Sequence, residues 1–154
     1  MPHYHRLVLY FDGASRHNPR GPAGCGWVLR EMDDHGTDHR QLAWGYQYLG
    51  HNVSCNQAEY SGLELGLDFL NDNCYSCHGL YIRGDSEIVI NQLEGVYEVR
   101  SNNIIPYYND VMQSIRGVDS NFIKYTHIPR SKNWQADRFA NIAIDHEQSE
   151  NFEA

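Results

Sequence analysis

The chain has 154 residues, of which 41% are hydrophobic and 21% are charged, and this composition is typical of one globular domain. With only 5 prolines and 13 glycines, a disordered, collagenous or low-complexity chain is excluded. The longest apolar run near the start, residues 7–11, is far shorter than the ~18 residues that a membrane span requires. We therefore expect a cytoplasmic protein with one domain over residues 1–145 and a flexible acidic tail over residues 146–154.

The formal net charge of −8 argues at first against a nucleic-acid partner, because phosphate binding depends on Lys and Arg. The acidic excess is local, since four acids lie within residues 31–38 and four lie within the last ten residues. The remaining 12 acids match 12 bases, and ten of these bases are Arg, the side chain suited to forked phosphate contacts. The charge therefore leaves a nucleic-acid partner open.

Hydrophobic periodicity predicts alternating strands and helices, with no internal repeat and no linker that could divide the domain. The predicted strands are residues 6–11, 24–31, 40–49, 80–82 and 122–128. The predicted helices are residues 56–71, 86–93, 107–115 and 134–144. Gly62 and Gly66 would allow the first helix to approach a sheet closely. The order predicts an α/β fold in which a mixed five-stranded sheet begins with a meander and carries helices on both faces.

Cys74 and Cys77 form a C-x-x-C pair in the connection after the first predicted helix. A zinc ribbon needs a second pair or a following His couple, and a thioredoxin-like redox pair would open a helix after a strand. Neither context is present in the sequence, so we assign this pair no role.

Four acids fall at corresponding ends of the predicted elements. Asp12 ends the first strand and Asp85 ends the fourth, while Glu59 and Asp137 lie in the first turns of the first and last helices. In open α/β sheets, sites form outside the carboxyl ends of strands, where helix N-termini also gather. Four acids there would repel one another unless cations compensated them, and oxygen ligands without His or Cys favour Mg²⁺ or Mn²⁺. Two such ions about 4 Å apart clamp the attacking and leaving oxygens of a phosphoryl displacement.

Each acid also has a structural interpretation. Glu59, three residues after Asn56, could belong to a capping box, and Asp137 could favour the helix dipole. Asp12 and Asp85 could be ordinary turn acids. Their joint placement at one end of the predicted sheet favours the functional interpretation.

Short motifs follow one another along nearly the whole chain. They are DGAS at residues 12–15, NP at 18–19 with GCG at 24–26, NQAEY at 56–60, GDSEIVINQL at 84–93 and IPRSKNWQAD at 128–137. Together they resemble the type 1 ribonuclease H family. The resemblance implies a ribonuclease H-like fold and metal-dependent cleavage of the RNA strand of an RNA/DNA hybrid, leaving 3′-hydroxyl and 5′-phosphate ends. It also implies two Mg²⁺ ions, replaceable by Mn²⁺, on four catalytic carboxylates, which are Asp12, Glu59, Asp85 and Asp137.

The resemblance further implies residues that contact the hybrid. Asn18, Asn56 and Gln57 match family positions that contact the minor groove, where 2′-hydroxyl groups distinguish RNA from DNA. Ser54 lies where the family often has a hydroxyl that holds a phosphate of the DNA strand. Gly13 would let the backbone approach the RNA. The amides could also serve turns and helix caps.

Two residues compete for a catalytic role in the loop before the last helix. Many family members use a flexible His there as a proton shuttle, and His127 lies ten residues before Asp137. One branch instead has valine- or isoleucine-proline-arginine, which matches residues 128–130. Because Pro129 constrains the exit from the strand, we favour Arg130 over His127. Since Arg stays protonated, it would contact phosphate rather than shuttle a proton.

Residues 94–106 contain only Arg100 as a base, so the basic helix and loop that some family members insert here is missing. We therefore expect weaker and salt-sensitive hybrid binding. Four aromatic residues could stack on sugars or bases, although such aromatics are more often part of a core: Tyr97, Tyr107, Tyr108 and Trp134. We expect a monomer whose partner is the hybrid. A non-cleaving hybrid-binding module, a superfamily nuclease acting on DNA and a detached reverse-transcriptase domain stay open as alternatives.

Overall fold

A computed structural model describes residues 3–154, in which a mixed six-stranded sheet is combined with four α-helices. The strands are β1 (His3–Ser15), β2 (Pro22–Met32), β3 (Asp38–His51), β4 (Ser76–Gly84), β5 (Asp119–His127) and β6 (Glu150–Glu153). The helices are α1 (Cys55–Asp72), α2 (Glu87–Leu93), α3 (Ile105–Arg116) and α4 (Trp134–His146), and a 3₁₀ turn spans Arg130–Lys132. The strand order is β5-β4-β1-β2-β3-β6. All nine elements predicted from periodicity are present, and the fold class is confirmed.

Parallel pairing brings the ends of two central strands together. The first three strands form an antiparallel meander, whereas β4 lies parallel to β1 on its other side and β5 lies parallel to β4. Tyr10 pairs with Arg83 at the end of the ladder between β1 and β4. Asp12 and Asp85 each follow two residues later, so they lie side by side just beyond this ladder. The meander and the crossover through α1 thus create the edge at which the acids meet.

Glycines allow helices to lie close to both faces of β2. A side chain on Gly62 of α1 would meet the backbone oxygens of Asp12 and Gly26 at 2.7 and 3.0 Å. On the opposite face, a side chain on Gly26 would meet the Ala136 oxygen of α4 at 2.6 Å. The prediction that Gly62 lets α1 approach the sheet is confirmed, and both helices carrying predicted site residues are held against the central strands.

The main core lies between the sheet and helices α1 to α3. Its largest fully buried side chains include Phe11, Leu9, Leu63 and Tyr60. The Tyr60 hydroxyl donates a 2.6 Å hydrogen bond to Gln92 Oε1, which links α1 to α2. This packing fixes the position of α1, and with it the position of Glu59, relative to β1.

The acidic C-terminal segment forms a sixth strand, which corrects the expected five-stranded sheet and flexible tail. β6 pairs antiparallel with residues 43–46 of β3. Phe152 stacks on Trp44 with ring centroids 5.6 Å apart, and the Tyr75 hydroxyl donates to Glu153 at 2.6 Å. The four-residue strand was missed because the single aromatic side chain of ENFE gives no alternating pattern.

Removing residues 148–154 should lower stability without abolishing activity. The truncation deletes the Phe152–Trp44 stack, the Tyr75–Glu153 hydrogen bond and one ladder of the sheet. We expect a loss of about 2 kcal/mol, which corresponds to a melting temperature lower by roughly 4–8 °C for a domain of this size. Thermal unfolding followed by circular dichroism measures this loss, and an unchanged melting temperature would show that β6 contributes nothing.

No helix within residues 3–154 is long and apolar enough to cross a membrane.

Candidate active site

The four predicted carboxylates come from four different elements. Asp12 lies within β1, which continues to Ser15, and Asp85 follows the last residue of β4. Asp137 lies in the first turn of α4, as predicted, whereas Glu59 lies in the second turn of α1 rather than the first. All four line one cavity of about 450 Å³.

Three of the acids form a compact cluster. Asp12, Glu59 and Asp85 each offer a carboxylate oxygen within 4.8 Å of the other two. Asp12 and Glu59 are only 3% and 7% exposed, so their charges are largely removed from water. Asp137 is more open, with 31% of its side chain exposed. The cavity therefore has a buried acidic floor and a more accessible acid at its rim.

Burial and mutual repulsion favour the protonated forms of the clustered acids. Burial raises the pKa of Asp12 to about 7, and the negative charge of Asp85 adds to this effect against opposing hydrogen bonds with Glu59 and the Gly13 N–H. Burial and the charge of Asp12 raise the pKa of Glu59 well above its usual value. The pKa of Asp85 is raised by burial and lowered in part by its hydrogen bond with Asn133. Full ionisation of the cluster at neutral pH therefore requires compensating positive charge.

The donor set fits a divalent metal ion. Glu59 Oε2 is buried and has no hydrogen-bond partner among the described residues, which is costly for a carboxylate unless a cation binds it. Within the described part of the chain, Asp12, Glu59 and Asp85 are the group of three acidic, His or Cys side chains close enough to share an ion. Oxygen-only ligands are typical of sites for Mg²⁺ and Mn²⁺.

Asn133 holds two parts of this site together and was missed by the sequence analysis. It is 1% exposed, and its Nδ2 donates to Phe11 O at 2.9 Å and to Asp85 Oδ2 at 3.3 Å. The residue precedes α4 but makes no side-chain capping bond. An Asn before a helix is typical of a cap, so the sequence contained no signal for a contact with a strand and an acid distant in the chain.

The cap of α1 differs from the predicted one. Ser54 Oγ accepts a 3.1 Å hydrogen bond from Gln57 N, and Gln57 Oε1 accepts a 2.9 Å bond from Ser54 N, which completes a capping box. The predicted pair of Asn56 and Glu59 is therefore wrong as a cap. Because Glu59 has no capping role, its carboxylate is available to the acidic cluster.

The predicted substrate-binding side chains gather around the N-terminus of α1. Asn18 Oδ1 accepts a 3.1 Å hydrogen bond from Cys55 N, which ties the loop after β1 to the helix. Gln57 Nε2 donates to Asn103 O at 3.1 Å, so both ends of the Gln57 amide are engaged within the protein. Asn56 is half-buried in the first turn of α1. Asn18 and Gln57 thus have the structural roles anticipated as an alternative.

Gly13 packs against α1 and also lines the cavity, and the approach of its backbone to RNA stays a prediction. A Cβ atom at this position would lie 2.3 Å from Ala58 C and 2.3 Å from Glu59 N. The Gly13 N–H donates a 2.9 Å hydrogen bond to Asp12 Oδ1. The glycine is required for close packing of strand and helix beside the acids, and its amide orients Asp12.

Arg130 lines the cavity, whereas His127 is not among its lining residues. Arg130 is 82% exposed and places Nη2 3.7 Å from Asp137 Oδ1. The His127 ring nitrogen Nε2 lies 3.2 Å from the backbone oxygen of Asp85. His127 is thus hydrogen-bonded outside the cavity lining, whereas the Arg130 guanidinium can reach an anion at its mouth.

The cysteine pair takes no part in this site. Cys74 is exposed after α1, Cys77 is buried in β4, and both thiols are free. Packing in the core accounts for Cys77.

Comparison with known proteins identifies the relatives of this chain. The Reverse transcriptase-like family matches residues 10–143. Ribonuclease HI of Halobacterium salinarum is 37% identical over 140 residues, covering 91% of this chain and 65% of that protein. A bifunctional protein of Mycobacterium tuberculosis is 35% identical over 140 residues, covering 91% of this chain and 36% of that protein. The chain thus spans less than two thirds of the length of these relatives.

Solved structures give the same result. The crystal structure of the Halobacterium salinarum RNase H1 has a TM-score of 0.75 at 34% identity, covering 92% of this chain and 98% of the other. The crystal structure of LC11-RNase H1 in complex with an RNA/DNA hybrid has a TM-score of 0.76 at 30% identity, with the same coverage of both chains. The mixed sheet with its helices matches the fold of these ribonuclease H structures. The chain belongs to the type 1 ribonuclease H family.

Proposed function

We propose that the chain is an endoribonuclease that hydrolyses the RNA strand of RNA/DNA hybrids and leaves 3′-hydroxyl and 5′-phosphate ends. The observation that carries this proposal is the buried cluster of Asp12, Glu59 and Asp85, with an unpaired Glu59 oxygen and with Asp137 at the rim. The hybrid bound to LC11-RNase H1, which is 30% identical to this chain, supports the substrate class.

The four carboxylates would hold two Mg²⁺ ions, for which Mn²⁺ would substitute. Asp12 is the ligand best suited to be shared, because it lies in the same cluster as Glu59 and Asp85 and also interacts with the charge of Asp137. Bound divalent ions would supply Lewis acidity, lowering the pKa of an attacking water and neutralising charge on the leaving 3′ oxygen. Asn133 would keep Asp85 oriented as a ligand through its 3.3 Å hydrogen bond.

Substrate recognition would involve the N-terminus of α1 and the neighbouring loop. Asn18, Asn56 and Gln57 would face the minor groove, where short amides can recognise 2′-hydroxyl groups. The Ser54 hydroxyl accepts from Gln57 N, and its proton remains available to donate to a phosphate of the DNA strand. Arg130 would bind a phosphate at the mouth of the cavity. We further propose that the protein acts as a monomer in the cytoplasm, and light scattering tests the oligomeric state.

A gel assay with one labelled RNA strand tests this function. The strand is presented alone, in an RNA duplex and paired with DNA, each with Mg²⁺, with Mn²⁺ and with chelator. We expect cleavage of the hybrid only, and only with metal, and end-labelling identifies the product termini. Hybrid binding without cleavage in either metal would instead indicate a binding module, and cleavage of DNA would indicate a different superfamily nuclease.

Arg130→Ala should slow cleavage more than His127→Ala. Arg130 lines the cavity beside Asp137, whereas the His127 ring contacts the backbone of Asp85 outside it. We expect kcat/KM to fall on the order of 10-fold for Arg130→Ala, equivalent to losing one exposed charge-assisted contact, and less for His127→Ala. Steady-state kinetics on one hybrid compares the two variants. Equal or reversed effects would contradict the role of Arg130.

A further inference from the structure

A second cavity, which we call the flanking pocket, lies next to the catalytic cavity. It has a volume of about 170 Å³ and is lined by residues that include Arg30, Lys132, Asn133 and Trp134. The 3₁₀ turn connects the two cavities, because Arg130 at its start lines the catalytic one and Lys132 at its end lines the flanking one. Asn133 lines the flanking pocket and also donates to Asp85. A strand bound at the carboxylates therefore needs to cross only this turn to enter it.

The flanking pocket contains two positive charges that no acid neutralises within the described residues. Arg30 donates to the neutral amides of Gln41 and Gln135, at 3.2 and 2.9 Å. Lys132 forms no ion pair or side-chain hydrogen bond with any residue of 3–154. This arrangement leaves the pocket with a net positive charge.

The acid that lines the pocket is already paired. Asp38 accepts a hydrogen bond from the Tyr10 hydroxyl and lies 3.5 Å from Arg83 Nη1. Arg83 Nη1 also donates to the Tyr10 hydroxyl at 3.0 Å. Because Asp38 is compensated by Arg83, it does not cancel the charges of Arg30 and Lys132.

One further feature suits a nucleotide rather than a simple anion. The Trp134 indole is 57% exposed and lines the pocket, and an exposed aromatic ring can stack on a base or a sugar.

We propose that the flanking pocket holds a nucleotide of the hybrid adjacent to the cleaved bond, with its phosphate on Lys132 and Arg30 and its sugar or base against Trp134. This inference rests on the proposed function, because it places the same substrate. The pocket supplies positive charge to a chain whose residues 94–106 contain only Arg100 as a base.

Hybrid binding by two variants and a matched control tests the proposal. Lys132→Ala and Trp134→Ala remove the charge and the indole, and Lys124→Ala removes an exposed charge on β5 outside the pocket. In chelator, we expect Lys132→Ala to weaken binding several-fold and to reduce the slope of log K against log salt by about one. We expect Trp134→Ala to weaken binding about 5-fold or more. Lys124→Ala should bind as the wild type does.

Kinetics with shortened hybrids locate the nucleotide. For Lys132→Ala and Trp134→Ala, KM should rise more than kcat falls on a long hybrid. Shortening the RNA from one end should reduce the difference in KM between these variants and wild type. Shortening it from the other end should leave that difference unchanged. The proposed role of the pocket would be overturned if Lys132→Ala and Trp134→Ala matched wild type in affinity, salt slope and KM. It would also be overturned if Lys124→Ala weakened hybrid binding as much as they do. In both cases the proposed cleavage activity would be unaffected. A folded wild type that neither binds nor cleaves the hybrid would overturn the proposed function and the pocket together.

Discussion

Asp12→Asn should abolish cleavage of the RNA/DNA hybrid while making the metal-free protein more stable. The amide keeps an oxygen that can accept the 2.9 Å hydrogen bond from Gly13 N, so the local backbone is preserved. Asn is a much weaker ligand for a divalent cation than a carboxylate. We expect kcat/KM to fall by at least about 10³-fold, since metal-assisted charge stabilisation is worth several kcal/mol.

The gain in stability follows from the raised pKa of Asp12. The carboxyl has a pKa of about 7 in the fold and an ordinary value of 3.8, so between these values the folded state binds a proton that the unfolded state has released. The stability that this group contributes is therefore present at low pH and is lost as pH rises towards about 7. Above that range, ionised Asp12 is destabilising in chelator because Glu59 and Asp85 are close. Asparagine removes this effect.

Thermal melts in chelator at a pH of about 5 and about 8 measure the effect directly. Wild type should lose stability between the two conditions, and the loss should be smaller in Asp12→Asn. At the higher pH, the variant should melt a few degrees above wild type, as roughly 2–4 °C corresponds to 1 kcal/mol in a domain of this size. Added Mg²⁺ should stabilise wild type more than the variant.

Asp34→Asn, at an exposed turn residue, is the matched control and should retain cleavage. An active Asp12→Asn variant would refute the metal site.

Gly13→Ala should damage both stability and activity. The added methyl group would lie 2.3 Å from two backbone atoms of α1, which cannot move aside as a flexible side chain can. Either the strand or the helix must shift, and the separation of Asp12 and Glu59 must change with it. We expect a cost of about 3 kcal/mol, in the upper range for overpacking, and a fall in kcat/KM of about 100-fold from the displaced ligands.

Gly117→Ala is the matched control for this substitution. Its added methyl group would come no closer than 3.2 Å, to the side-chain nitrogen of Asn71, and its φ of −82° suits alanine. Chemical denaturation and hybrid cleavage measured on both variants separate the effects. If Gly13→Ala retained wild-type stability and cleavage, the close packing of β1 on α1 would not be what positions the acids.

Periodicity predicted the fold because most elements have a strong pattern of their own. The buried run in β1 and the spacing of Tyr60, Leu63, Leu67 and Leu70 in α1 identify a strand and a helix without any tertiary information. β6 has no such pattern, because ENFE owes its conformation to pairing with β3 and to one aromatic stack. Local propensity does not contain information about a partner strand about 100 residues away.

The acids were predictable from their positions, whereas their supporting contacts were not. Asp12 and Asp85 follow hydrophobic strand residues, so the sequence alone indicates that they share a sheet edge. The bonds from Asn133 to Phe11 and Asp85 join residues 122 and 48 positions apart. The role of Gly13 likewise depends on where α1 crosses β1. Such contacts arise from the tertiary packing of α4 and α1, and no short motif encodes them.

The strand β6 also determines what the sheet exposes to other molecules of the same protein. β3 is 14 residues long, and without β6 its outer backbone groups would be free to pair with a strand of another copy. Because β6 covers β3, the sheet ends at this side in a strand of only four residues, two of which are Glu. Two such edges would repel each other through their negative charges. The two glutamates of β6 thus protect this edge of the sheet against pairing with another copy.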